Sequence, residues 1–124
     1  MDSNLSYNIS DSLVYVTLKG DFTVQESMAL LDEVLHHQDV IIPANLLIDV
    51  REATAQRTTE QIEEVASHIN EWREKISRIA VLTGSDLHFG ITRMGVSYVD
   101  PAAVKVSPFR NIEDAIVFLT SQDV

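Results

Sequence analysis

Leu46-Leu47-Ile48-Asp49-Val50 is an apolar run interrupted only by a carboxylate near its end, followed after a short polar stretch by Thr58-Thr59-Glu60-Gln61. A run that is apolar on both faces fits a strand buried inside a parallel sheet. Thr58 and Gln61 are spaced as a capping box, in which each side chain accepts the other residue's backbone N–H, and this opens a helix. Such a strand–helix step delivers its end to the crevice where open α/β sheets place their sites. Ile79-Ala80-Val81-Leu82, closed by Thr83-Gly84, repeats the pattern. The two runs are expected side by side, parallel, and opening onto a shared rim.

The rest of the chain builds outward from this pair. Leu5, Tyr7 and Ile9 alternate with polar residues, and so do Val14, Val16 and Leu18, with Asp11-Ser12 as the turn between them. This reads as an antiparallel hairpin ended by Gly20-Asp21. Thr23 and Glu26 form a first capping box, and Val24, Met28, Leu31 and Leu35 continue it as an apolar helical stripe. His36-His37 falls near the C-terminus of this helix, and Pro43 marks the connection onward. The helix opened by Thr58 carries Ile62, Val65, Ala66, Ile69 and Trp72, with Trp72 read as the end of a core stripe. A third helix is expected from Ser85 or Asp86 to Val99, with Leu87, Ile91, Met94 and Tyr98 on one face. Val104 and Val106 form a last strand that Pro108 ends, and Asn111 caps a final helix bearing Ile112, Ala115, Ile116 and Leu119.

Strands alternating with helices imply parallel pairing through right-handed crossovers. The expected fold class is therefore α/β: one mixed five-stranded sheet, an N-terminal antiparallel hairpin followed by three parallel strands, with four helices in a single domain, 1–124. The runs that are apolar on both faces, 46–49 and 79–82, belong at the centre. The alternating segments 5–9 and 104–107 belong at the edges.

Composition narrows the partners. Nineteen acidic residues against nine Lys and Arg give a formal charge of −10. Such a chain is repelled by phosphate backbones and gains nothing from counterion release, so nucleic acid and stable docking on an anionic membrane are not expected. With no cysteine, disulfides and thiolate sites are excluded. No apolar stretch approaches the ~18–20 residues of a membrane span, and Met1-Asp2-Ser3-Asn4 does not read as a signal peptide, so a cytoplasmic location is expected.

Taken in order, Leu18-Lys19-Gly20-Asp21-Phe22-Thr23, Leu46-Leu47-Ile48-Asp49-Val50-Arg51, Arg78-Ile79-Ala80-Val81-Leu82 and the tail from Phe109 to Leu119 resemble the SpoIIAA-like family, relatives of the STAS domains of anti-sigma-factor antagonists. The resemblance implies strands in roughly sequential order, helices stacked mainly on one side, no catalytic machinery and a role as a partner-binding switch. In the antagonist branch a Ser at the start of the helix after the central strand is phosphorylated, and Thr58 stands near that position. The family's Asp-Ser-(Ser/Thr)-Gly run is replaced here by Arg57-Thr58-Thr59-Glu60, and Glu60 would repel a phosphate. The SpoIIAA-like branch implies instead transient membrane association and hydrophobic ligands, through its similarity to lipid-carrying CRAL-TRIO domains.

Each candidate residue has a structural and a functional reading. Thr58 is an N-cap or an anion site at a helix N-terminus. Asp49 and Arg51 are either a turn's own hydrogen bonding or an anion or partner contact. Thr83, Ser85 and His88 follow the neighbouring strand and stand near the same rim, but they do not assemble a hydrolytic triad. His36, His37, His68 and His88 lack metal-ligand spacing, so no metal and no cofactor are expected. Leu87, Phe89, Ile91, Met94, Val96 and Tyr98 make the third helix apolar on more than one face. That suits either a helix buried on two sides or a lid over a hydrophobic pocket, weakened by Gly84, Gly90 and Gly95.

The expected function is a non-enzymatic binding module acting on a protein partner through the crevice lined by Asp49, Arg51, Thr58, Thr83, Ser85 and His88. The alternative is a carrier of a hydrophobic or lipid-like small molecule, with Leu87, Ile91 and Met94 on a mobile third helix. A homodimer is also expected from the exposed edge strands.

Overall fold

In a computed structural model, which describes residues 4–10 and 13–121, five strands form one sheet in the order β1-β2-β3-β4-β5. They are β1 (Leu5–Ile9), β2 (Val14–Leu18), β3 (Ala44–Asp49), β4 (Ile76–Leu82) and β5 (Lys105–Phe109). β1 and β2 pair antiparallel, with Leu5 opposite Leu18 and Ile9 opposite Val14. All later pairings are parallel. The Asp11-Ser12 turn lies outside the described residues. β3 and β4 are central neighbours in register, Leu46 against Ile79 and Ile48 against Val81, as their doubly apolar sequences require.

Helices α1 (Val24–His36), α2 (Thr59–Glu71), α3 (Asp86–Val96) and α4 (Ile112–Thr120) follow β2, β3, β4 and β5 in turn. Thr23 with Glu26 and Thr58 with Gln61 both close reciprocal capping boxes. Ser85 and Asn111 each accept the N–H of the residue three positions on. Each of these caps contributes about 0.5–2 kcal/mol to its helix. None of the four helices is long and apolar enough to cross a membrane.

Because side chains alternate across a sheet, each central strand feeds two cores. Leu46 and Ile79 face α1 and α2, packing with Val34, Leu35, Ala66 and Ile69. Leu47, Ala80 and Leu82 face the other way and pack with Ala115 and Leu119 of α4.

Three sequence expectations need correction. Pro108 does not end the last strand; it sits inside β5 opposite Val81. A residue without an N–H is tolerated there because β5 is an edge strand with one ladder side unpaired. β3 and β4 begin earlier than their apolar runs, at Ala44 and Ile76, and Val50 falls just beyond β3. Finally, α3 stops at Val96 rather than Val99, leaving Tyr98 outside the helix.

Candidate functional site

The loops after β3 and β4 meet at one end of the sheet, as their parallel pairing demands. Gly84 is what lets them meet, since a Cβ on it would lie 3.0 Å from the Arg51 carbonyl oxygen and 3.2 Å from the Arg51 Cα. Gly20, at φ +64°, plays the matching part on the β2 side. Its N–H donates to the Glu52 carbonyl and its carbonyl accepts from Thr54, which ties the end of the hairpin to the loop after β3.

The sequence-predicted residues do not share one crevice. Asp49 lies on the α4 side of the sheet, in step with Leu47. Its Oδ2 accepts from the Tyr15 hydroxyl at 2.6 Å and from Arg51 Nη2 at 2.9 Å. Its Oδ1 accepts from Arg51 Nε and the Arg51 backbone N–H, both at 3.1 Å. Burial alone would raise the Asp49 pKa, but the Arg51 and Tyr15 hydrogen bonds outweigh it and hold the carboxyl below its usual range. Tyr15 moves the other way, upward, through its own burial and its bond to Asp49. The cluster is internally satisfied, with the charge of Arg51 neutralised by Asp49.

Other candidates are committed to the backbone. Thr83 is 1% exposed, and both its hydroxyl and its N–H donate to the Phe109 carbonyl, so it ties β4 to β5. Thr58 and Ser85 serve as N-caps.

The stripe read from α3 is rotated. Leu87 (68% exposed) and Met94 (42%) point outward with Tyr98 beyond the helix, and α3 has no buried residue at all. This also overturns the reading of α3 as a helix buried on two sides. Its inward side is His88, Ile91, Thr92, Gly95 and Val96. Gly95 takes an inward position because α3 approaches α2 closely there, where a Cβ would stand 3.3 Å from Ile62 Cγ2.

Under that inward side lies a cavity of about 260 Å³ between the sheet and α1, α2 and α3. Ile48, Val50, Val81 and Val106 form its floor, and Met28, Leu31, Val65, Ile91 and Val96 are among its walls. These nine side chains are all only partly buried. Its polar groups are few: Ser27, Arg57, His68, His88 and Thr92. Most are occupied. Ser27 Oγ donates to the Val24 carbonyl, Thr92 Oγ1 donates to the His88 carbonyl, and His68 Nε2 lies 2.7 Å from Asp32 Oδ1. Trp72 Nε1 donates to the same Asp32 oxygen, so the expected core tryptophan also clamps α1 to α2. His88 Nδ1 is buried without a hydrogen-bond partner.

Of the predicted site, then, His88 and Ile91 reach the cavity and the others do not. Arg57 and Met28 had been missed. Both lie in segments whose local pattern has a sufficient explanation, a helix entry and a helix stripe. Among the described residues, no cluster of His, Asp or Glu could hold a metal ion.

No protein-family model and no curated protein matches this chain. Among solved structures, it is similar to an uncharacterized protein of the DUF3478 family with a SpoIIAA-like fold from Shewanella loihica PV-4. The TM-score is 0.61 at 18% identity, with 96% of this chain and 98% of that one covered. The fold is SpoIIAA-like.

Proposed function

We propose, from the SpoIIAA-like fold and the partly open apolar pocket it forms, that this protein is a non-catalytic binding module for a hydrophobic small molecule, with α3 as the lid over it. The observation that carries this reading is the apolar cavity of about 260 Å³ in a domain of 124 residues. The pocket opens partly to solvent, so a ligand can enter it and cover apolar side chains otherwise left in contact with water. Here the floor residues of the two most buried strands retain open surface that a ligand would cover. At about 0.8 kcal/mol per buried methylene, an eight-carbon chain contributes about 6 kcal/mol, enough for reversible retention after the cost of association. α3 suits the lid role because it buries no side chain and carries two glycines within its eleven residues.

The reading is tested by native mass spectrometry of the protein as isolated, followed by solvent extraction. An apolar adduct that disappears on denaturation is the expected result. If spectrum and extract are both empty and the purified protein binds no apolar probe such as 2-naphthol, the reading fails.

One feature favours a protein partner as a second reading. Leu87, Met94 and Tyr98 stand exposed along the outer side of α3 and the turn after it. Such a partner, including a second copy of this chain, would bind α3 from outside, and a mass change on sedimentation abolished by Leu87→Glu would support it.

A further inference from the structure

We infer that the cavity's ligand is a carboxylic acid, an apolar body whose single carboxylate docks on Arg57 with His88 completing its hydrogen bonding. This rests on the reading of the cavity as a ligand site and specifies what that site selects. The first observation is the state of Arg57. It is partly buried, lines the cavity and stacks over the Phe22 ring at 5.0 Å. Its hydrogen bonds go to neutral carbonyls, Nη2 to Phe22 at 2.7 Å and Nη1 to Gln56 at 3.0 Å. A guanidinium has five N–H donors, so three remain. Among the described residues, no carboxylate pairs with it, although acids outnumber bases nineteen to nine in the chain. Lys19, Arg51, Arg73 and Arg110 each have an acidic partner.

A partly desolvated cation without a counter-charge is costly, and the cost falls when an anion arrives. Arg57 also immediately precedes the Thr58 N-cap, at the positive end of the α2 dipole. The second observation is independent. His88 lies in the first turn of α3 and lines the same cavity, and its Nδ1 is buried without a partner, so it meets a ligand's head group when α3, the lid, shifts. Because β3 and β4 are adjacent and parallel, the helices that follow them begin at the same end of the sheet. Arg57 and His88 therefore both line the cavity from the same end of the sheet. Two acids also lie in those first turns. Asp86 is paired with Arg110, and Glu60 is exposed.

A single guanidinium and one imidazole suit one carboxylate. A phosphate, with twice the charge, would call for a cluster of cations that the cavity lacks. A neutral alcohol would leave Arg57 without its counter-ion. A cavity of about 150 Å³ accepts benzene, so one of about 260 Å³ accepts a body of about ten carbon atoms.

The test is calorimetric titration of the purified protein with decanoate and with 1-decanol, which share chain length and differ at the head. Decanoate is expected to bind about ten-fold more tightly, the scale of a charge-assisted hydrogen-bonded pair. Arg57→Gln should bring the two within about two-fold by weakening decanoate alone, and Arg57→Lys should retain most of the preference. Equal binding of acid and alcohol to the unaltered protein overturns the carboxylate assignment and leaves the cavity reading standing, as does an Arg57→Gln variant that weakens both equally. Binding of neither overturns the cavity reading as well.

Discussion

Leu47 and Ile48 are neighbours in one strand, yet Leu47 is fully buried beneath α4 whereas Ile48 stays partly exposed beneath three helices. The same contrast repeats one strand over, between Ala80 and Val81. On the α4 side a single helix of nine residues places Ala115 and Leu119 directly against the sheet. The small Ala80–Ala115 contact region allows that close approach. On the other side α1 and α2 seal the part near Val34, Leu46 and Ala66 and α3 lies against β5, so the cavity is left between these helices and the middle of the sheet. The number of helices on a face does not measure how well it is filled. What matters is whether the inward residues of each helix are large enough to span the gap, and α3 turns Thr92 and Gly95 inward while Leu87 and Met94 point away.

The sharpest way to break this comparison is to add the same volume to both faces. Ala115→Leu overpacks the filled side and should cost about 1–3 kcal/mol in urea unfolding. Ala55→Leu places the same side chain on the cavity wall, where Ala55 is only partly buried, and it should be neutral or stabilise by up to about 1 kcal/mol while displacing any apolar ligand. Equal losses in the two variants would mean that both faces are equally packed.

Next in size is the Tyr15–Asp49–Arg51 cluster, which belongs to the filled side. Asp49→Asn should cost about 1–2 kcal/mol at neutral pH by weakening charge-assisted hydrogen bonds. The folded Asp49 pKa lies below its ordinary value, so its contribution is complete above about pH 4 and is lost as pH falls through the folded pKa. Acid unfolding of the Asn variant should therefore be less steep below pH 4 than that of the parent. Superimposable acid transitions would remove the cluster from the stability account.

The smallest effect concerns the lid. A Cβ on Gly90 meets nothing within 4 Å, so Gly90→Ala should stabilise α3 by up to about 1 kcal/mol without a clash. Hydrogen exchange in 86–96 should be faster than in β3 and β4 in the parent and slower in the variant than in the parent. Equal protection of α3 and the central strands would dispose of the lid.

Much of the architecture was legible along the chain. The two doubly apolar runs are interior and parallel, the first and last alternating segments, β1 and β5, are the edges, and both capping boxes close as their spacing predicts. The site was much less so. The stripe of Leu87, Ile91, Met94 and Tyr98 follows helical spacing, and it is offset from the true inward side, where Gly95 comes into close contact with Ile62. Asp49 ends β3 and His88 follows the adjacent parallel β4, and nothing local says that one serves the α4 face and the other the cavity. Arg57 had no signal of its own; its interest comes from the acids that are not beside it.

Strand order, helix starts and the pairing of β3 with β4 follow from the chain itself, because caps, turn residues and two-residue alternation are short-range hydrogen-bonding and burial rules. The cavity, the rotation of α3 and the exposure of Arg57 to an apolar space were decided only in three dimensions. An empty volume is the difference between the space several elements enclose and the side chains they turn into it, and no single segment contains that difference.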